Sequence, residues 1–181
     1  ALRIADIRAE AACDATVIVN CAGRTRSIIG TRLLQRMGVE DLYGLENGTA
    51  GWRLAGDELE ANADRTGMPE PSTEGASEAE SFARRVADED GVQLIDVSKL
   101  RELIGEGSEK TVYVVDVRMR DEFRTGHIPG SSWMPGGQAI QTADATAVVH
   151  NAPVVFICDG VARAAITGSW YRQMGKSDVY A

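Results

Sequence analysis

Short apolar runs alternate with amphipathic stretches along most of the chain. The runs Val17–Asn20 and Val154–Ile157 are typical of strands that are buried on both faces of a parallel sheet. After a loop, each run is followed by apolar residues spaced four apart, which predicts one face of a helix. These residues are Ile29, Leu33 and Met37 in the first stretch and Ile166, Trp170 and Met174 in the second. Gly38 and Gly175 come next and predict the ends of the two helices.

The two stretches are copies of one sequence. Residues 17–44 align without a gap to residues 154–181 at an offset of 137. A further short strand, "DLYGL" or "DVYA", is predicted after each helix. The order strand, loop, helix, strand is a βαβ unit, which implies a parallel sheet covered by helices. An offset the size of a small domain predicts that the chain contains the same half-domain twice. Identical pairs include Val17/Val154, Cys21/Cys158, Gly23/Gly160, Arg26/Arg163, Met37/Met174, Gly38/Gly175, Asp41/Asp178 and Tyr43/Tyr180.

The segment between the copies is acidic. Between Gly56 and Asp90 there are 11 Asp and Glu against 3 Arg, so this segment accounts for the whole net charge of −8. We interpret residues 56–91 as a solvated linker, with a helix from about Ser77 to Ala87.

The second copy has more of a domain around it than the first. Residues 92–181 add a strand and a helix with Ser98 as its expected N-cap, then a buried strand at 111–118, and a short helix, turn and strand at 120–135. We therefore predict a second domain at 92–181 that lacks its final C-terminal element. Residues 1–55 contain only the C-terminal half of a domain. We expect that half to be ordered only when another piece of a parent chain, or a swapped second copy, completes its sheet.

Composition excludes several classes of function. No apolar run approaches the roughly 18 residues of a membrane span, and no basic patch suggests nucleic-acid binding. The three cysteines, Cys13, Cys21 and Cys158, form neither a disulfide framework nor a metal-binding pair, and with two histidines we expect no metal. This use of cysteine indicates a reducing, cytoplasmic compartment.

Cys21 and Cys158 each lie where a predicted strand gives way to a predicted helix. Loop N–H groups and a helix N-terminus would stabilise a thiolate there, lowering its pKa and making it a nucleophile. Gly23 and Gly160 allow close approach of the backbone, and Arg24 and Arg26 add cations suited to an anionic substrate such as a sulfur oxyanion. Cys13 has no such context, and we interpret it as a packing or surface residue.

Three motifs resemble the rhodanese family of sulfurtransferases. "DVRMRDEFRTGHIPGS" (116–131) is similar to the family's N-terminal signature, and "CAGRTRS" and "CDGVARA" to its active-site loop. "LYGLENGTAGW" (42–52) resembles the segment that closes the domain. The resemblance implies a three-layer α/β fold, with a mainly parallel five-stranded sheet flanked by helices, in tandem copies as in bacterial proteins with several rhodanese domains.

The resemblance also implies a reaction. A cysteine thiolate takes a sulfane sulfur from a small donor such as thiosulfate, becomes a persulfide, and passes the sulfur to cyanide or a thiol without a cofactor. Cys21 and Cys158 would be the nucleophiles, with Arg26 and Arg163 closing the loops. Asp116, Arg118 and His127 map to the signature and are expected to be scaffold. The cradles of the persulfides would be the backbones of Ala22, Gly23, Arg24, Thr25 and Arg26, and of Asp159, Gly160, Val161, Ala162 and Arg163.

The two loops are not equivalent. The charge of Asp159 would oppose a thiolate at Cys158, so Cys21 is expected to be the better catalyst. One alternative is a non-catalytic module that binds partners or regulates, and Asp159 favours this for the second domain. Another is a phosphatase or arsenate reductase, whose loop needs five residues between cysteine and arginine. Four residues separate Cys21 from Arg26, which argues against the second alternative.

Overall fold

The computed structural model describes residues 16–63, 70–105 and 111–181. The chain divides into two compact units, Ala1–Ala79 and Glu80–Ala181, which we describe separately. The helix α3 (Thr73–Asp90) crosses the boundary between them. The other elements of the first unit are β1 (Val17–Val19), α1 (Thr25–Arg36), β2 (Leu42–Gly44) and α2 (Gly48–Leu54).

In the first unit, β1 and β2 form a parallel pair, with Ile18 opposite Tyr43. Helix α1 packs on one side of this pair, and Ile29 and Met37, the residue directly after the helix, are buried as the spacing predicts. The chain turns after the helix at Gly38, whose φ of 87° is the left-handed conformation that glycine adopts most easily. The predicted strand–loop–helix–strand order of the first copy is therefore confirmed.

The prediction that the first strand is buried on both faces is wrong for the described residues. Ile18 is 62% exposed, and Val17 and Val19 are half-buried. The physical reason is that β2 is the only strand that pairs with β1 in the part of the chain that the structure describes.

The second unit contains a four-stranded parallel sheet with the order β4–β3–β5–β6. A fifth segment joins it through a single parallel bridge between Gln93 and Tyr180. The expected fifth strand is thus reduced to one bridge, because the chain turns into a helix at Asp96. The strands are β3 (Tyr113–Asp116), β4 (Ser132–Trp133), β5 (Val154–Ile157) and β6 (Val179–Tyr180).

Helices cover this sheet. The hydroxyl of the buried Tyr171 donates to the carbonyl of Ala139 (2.9 Å), and its ring meets Phe156 edge-on with the centroids 4.7 Å apart. Met174, expected on the buried face, lies one residue beyond the end of helix α8 and is 46% exposed. The helices are α4 (Val97–Ile104), α5 (Arg120–Thr125), α6 (Gly136–Gln141), α7 (Ala143–Thr146) and α8 (Ala162–Gln173).

Two sequence predictions about α3 and α4 change in detail. The helix expected at Ser77–Ala87 extends over Thr73–Asp90, and Phe82 and Val86 are buried. From Glu80 onward this helix belongs to the second compact unit. The N-cap of α4 is Asp96 rather than Ser98, because the Asp96 carboxylate accepts a hydrogen bond from the backbone N–H of Lys99 (2.8 Å). Across the described ranges, no helix is long and apolar enough to cross a membrane.

Candidate active site

The Cys21 loop lies between the end of β1 and the start of α1, and the segment after β2 holds it in place. The backbone N–H of Thr49 donates to the carbonyl of Cys21 (3.0 Å), and that of Ala50 donates to Ala22 (3.1 Å). Gly48 has a φ of +54°, and a Cβ there would lie 2.0 Å from the Cys21 carbonyl oxygen. A side chain has no room at this position, so Gly48 lets the closing segment approach the loop.

The Cys21 thiol faces a buried hydroxyl group. Its S–H donates to Ser27 Oγ at 3.5 Å, and the Ser27 hydroxyl donates to the Arg24 carbonyl at 2.8 Å. The hydrogen bond with Ser27 is the main reason that the pKa of Cys21 lies below its ordinary value. Burial opposes this shift, whereas the backbone of Gly23 and the charge of Arg26 support it. Sequence reasoning identified the cations but missed Ser27.

The cations of this loop remain exposed. Arg24 is the residue before the first turn of α1, Thr25 begins the helix, and Arg26 follows it. Neither guanidinium makes an ion pair or hydrogen bond with another described residue. Arg26 therefore acts on the thiol through its charge, and both arginines face solvent.

The Cys158 thiol has the opposite electrostatic setting. Its S–H donates to the carbonyl of Gly160 (3.0 Å), and burial raises the pKa of the thiol above its ordinary value. Contacts with the backbone of Gly160 and Ala164 oppose the shift, and the charge of Asp159 adds to it. The predicted effect of Asp159 has the expected sign, but burial is the larger cause.

Arg163 is held by two carboxylates. Its Nη1 and Nη2 donate to the two oxygens of Glu122 at 2.8 and 2.7 Å, and Nη2 also donates to Asp159 at 2.6 Å. This pairing lowers the pKa of Glu122 to about 2. Because Asp159 follows Cys158 directly, Arg163 links the two ends of the loop, but its charge is already neutralised.

Glu80 caps the start of α8, where the Cys158 loop ends. The backbone N–H of Val161 donates to both Glu80 carboxylate oxygens, at 2.9 and 3.1 Å, and that of Ala162 donates to one of them at 3.3 Å. Sequence reasoning assigned Glu80 to a solvated linker and missed this contact. The sequence separation of 81 residues between Glu80 and Val161 leaves no local signal for it.

Asp116 and Arg118 of the signature form the expected ion pair. The Arg118 guanidinium donates to Asp116 (3.0 and 2.7 Å) and to the carbonyl of Gly126 (2.7 Å). The His127 ring stacks on Phe123 with the centroids 3.8 Å apart. In the described ranges, no group of three or more His, Cys, Asp and Glu could hold a metal ion. Cys13 lies outside these ranges.

Beside Cys158 there is an apolar pocket of about 260 Å³. Its walls come from α4, from the turn before β4, and from the end of β5. Apolar side chains dominate its lining, so it offers little to an anion. Among the lining residues are Ile95, Val97, Leu100, Ile128 and Ile157.

Comparisons with known proteins find a family match for the second part of the chain. Residues 96–181 match the rhodanese-like domain. The chain shares 40% sequence identity with a thiosulfate sulfurtransferase from Pseudomonas aeruginosa whose crystal structure is known. The two structures superpose with a TM-score of 0.85, and the match covers 99% of this chain. The second compact unit therefore has a rhodanese-like α/β fold, with a parallel sheet flanked by helices. The chain spans about a third of that protein, since it covers 34% of its length.

Two other solved structures are more distantly similar. One, from Rhodopseudomonas palustris, is a protein of unknown function described as a possible tyrosine phosphatase (25% identity, TM-score 0.44, covering 63% of this chain and 87% of that one). The other is a 3-mercaptopyruvate sulfotransferase from Escherichia coli (20% identity, TM-score 0.40, covering 90% of this chain and 62% of that one). No curated protein matches the chain.

Proposed function

We propose that the chain is part of a sulfurtransferase that moves a sulfane sulfur, from a donor such as thiosulfate to a thiophilic acceptor, through a persulfide on Cys21. The observation that carries this proposal is the Cys21 thiol itself, whose pKa is lowered beside Ser27 and two exposed arginines. The rhodanese-like domain and the similarity to a thiosulfate sulfurtransferase support the same reaction class.

The reaction balances without a cofactor. The Cys21 thiolate attacks the outer sulfur of thiosulfate, a new S–S bond forms, and the original S–S bond breaks with its electron pair leaving on sulfite. Cyanide or a thiol then attacks the outer sulfur of the persulfide and leaves the Cys21 thiolate behind. The charges of Arg24 and Arg26 favour the arrival of a dianion and the retention of a thiolate.

For Cys158 the proposal is different. Burial raises the pKa of its thiol, and the guanidinium of Arg163 is paired with Glu122 and Asp159. These contacts favour a non-catalytic, binding or regulatory role for the second rhodanese-like domain. A phosphatase or arsenate reductase is disfavoured, because only four residues separate the cysteine from the arginine in either loop.

We also propose that the chain carries tandem rhodanese-like parts. Residues 1–55 would be the C-terminal half of one domain, 56–91 a linker and 92–181 a second domain. The gapless repeat supports this, as does the equivalent hydrogen bonding of its strands: Val17 N–H donates to Asp41, and Val154 N–H donates to Asp178, both at 2.9 Å.

Intact mass spectrometry tests the proposed reaction. After incubation with thiosulfate, the chain should gain one sulfur atom, and cyanide should remove it. Cys158→Ser should retain this gain, whereas Cys21→Ser should lose it, because the pKa of Cys21 is lowered and that of Cys158 is raised. An unchanged mass, or a gain that Cys158→Ser alone abolishes, would contradict the proposal.

A further inference from the structure

We infer that Glu80 excludes anionic sulfur donors from the Cys158 loop, because its carboxylate occupies the backbone N–H groups that such a donor would use. The inference deepens the proposed function, and it rests on that function only for the identity of the donor. It makes Glu80, a residue outside the cysteine motif, a determinant of which loop accepts an anion.

The Glu80 carboxylate contacts the start of helix α8. Helix α8 has 12 residues, and the N–H groups at the start of such a helix lack intrahelical partners and attract negative charge. At this helix the N–H groups of Val161 and Ala162 are taken by the two oxygens of Glu80. An incoming sulfonate group would have to displace a carboxylate that is held by the fold and therefore acts at a high effective concentration.

The Glu80 carboxylate also fills the space beside Gly160 in the Cys158 loop. A Cβ on Gly160 would lie 2.5 Å from Glu80 Oε1, so the carboxylate rests directly against this glycine. At Gly23, the equivalent residue of the other copy, a Cβ would meet nothing within 4 Å. The close approach that glycine permits is therefore used by the protein's own anion at one loop and is open at the other.

The charges around the two cysteine loops also differ. Around the Cys158 loop, the guanidinium of Arg163 is shared by Glu122 and Asp159, and Glu80 adds a third carboxylate. A dianion approaching this loop meets net negative charge, which disfavours it. The Cys21 loop contains two arginines and no acid, and the side chain of its N-cap residue Arg24 makes no capping hydrogen bond. The Cys21 loop is therefore suited to accept an anion, whereas the Cys158 loop already holds the Glu80 carboxylate.

Amide chemical shifts measure this exclusion directly. The full chain carrying Cys13→Ser, Cys21→Ser and Cys158→Ser has no thiol left, so thiosulfate can only bind. In this background the Val161 and Ala162 amide signals should not respond to thiosulfate while Glu80 is present. With Glu80→Ala they should shift saturably, with at least about tenfold tighter binding, as expected when charge-assisted hydrogen bonds become available.

Two matched variants control the experiment. Asp88→Ala removes an exposed acid from the same helix and should leave the response unchanged, which separates local contact from net charge. Glu80→Gln keeps the shape of the cap but removes its charge, and should bind thiosulfate more weakly than Glu80→Ala but more tightly than the chain with Glu80. If Glu80→Ala does not give a folded spectrum, Glu80→Gln decides the matter.

The inference is overturned if the loop with Glu80 binds thiosulfate as tightly as the variants, or if the folded Glu80 variants show no shift. Failure of the proposed function gives a different result. In that case Cys21 gains no sulfur in the mass measurement, whereas the Val161 and Ala162 amides of Glu80→Ala still respond to the anion.

Discussion

At the scale of single residues, one hydroxyl group distinguishes the two thiols. Ser27 in the first copy corresponds to Ala164 in the second, and both side chains are buried at 2% exposure. The Ser27 hydroxyl has a single proton, which the Arg24 carbonyl accepts while the thiol is protonated. When Cys21 loses its proton, the hydroxyl can turn and donate to the sulfur instead. A thiolate therefore gains a hydrogen bond at Cys21 that Ala164 cannot supply at Cys158.

Exchanging these two residues should exchange part of the reactivity. Ser27→Ala removes the main cause of the lowered pKa of Cys21, so the pH profile of its alkylation should move to higher pH. The rate at neutral pH should fall, while the limiting rate at high pH, where the thiolate is fully formed, should stay nearly the same. Iodoacetamide kinetics followed by peptide mass spectrometry measure both.

The reciprocal change, Ala164→Ser, serves as the matched control. It should move the Cys158 profile to lower pH, although burial will keep it above that of Cys21. An unchanged Cys21 profile in Ser27→Ala would show that the arginines, rather than the hydroxyl, set the pKa of this thiol.

At the scale of elements, the sequence pattern correctly predicted those features that depend on residues close together in the chain. Strand β5 occupies the predicted Val154–Ile157, and Gly38 and Gly175 end their helices with φ of 87° and 90°. These features depend on residue types within a few positions, such as apolar runs and glycine's access to positive φ.

Contacts between distant elements could not be predicted in this way. The cap that Glu80 gives to α8 depends on packing between segments far apart in sequence. The composition of an acidic stretch is the same whether one of its glutamates is solvated or caps a distant helix. Likewise, the resemblance indicated that residues 42–52 close the domain, but not that Gly48 would press against the Cys21 carbonyl.

The link between α5 and α8 makes stability depend on pH. The pKa of Glu122 is lowered from 4.5 to about 2, chiefly by its hydrogen bonds with Arg163. A lowered pKa means that the contribution to the free energy of unfolding is complete above 4.5 and is lost as the pH falls toward 2. Glu122→Gln should therefore lower stability at neutral pH and flatten this part of the pH dependence. Because Glu122 is partly exposed, we expect a modest effect.

Denaturant unfolding at a series of pH values measures this dependence. Asp121→Asn is a suitable control, since it removes the neighbouring exposed carboxylate without touching Arg163. Equal pH profiles for Glu122→Gln and the unmodified chain would show that the ion pair does not contribute to stability.

At the scale of the whole molecule, the repeat supplies two similar backbones in different sheet environments. In the second unit β5 lies between β3 and β6, whereas in the first unit β1 pairs with β2 alone among the described strands. The N–H of Val17 and the carbonyl of Val19 both bond to the segment around β2. In a parallel pair, the N–H and carbonyl of the residue between them, Ile18, point to the opposite edge. This edge can accept another strand, as Val155 does in pairing with Val114 of β3.

We therefore predict that a further parallel strand, from another piece of a parent chain or from a second copy, pairs with the edge of β1 that no described strand covers. In dilute solution of the 181-residue chain, the Ile18 amide should exchange with solvent much faster than the Val155 amide, its partner in the repeat. Protection of Ile18 should appear when a second copy or another piece of a parent chain binds, with the mass of the complex measured by light scattering. Ile18→Pro removes the N–H that faces this edge and leaves those of Val17 and Val19 in place, so it should block this association while disturbing the β1–β2 pair little. If Ile18 is as protected as Val155 in a chain that light scattering shows to be monomeric, the edge is already covered and the prediction is wrong.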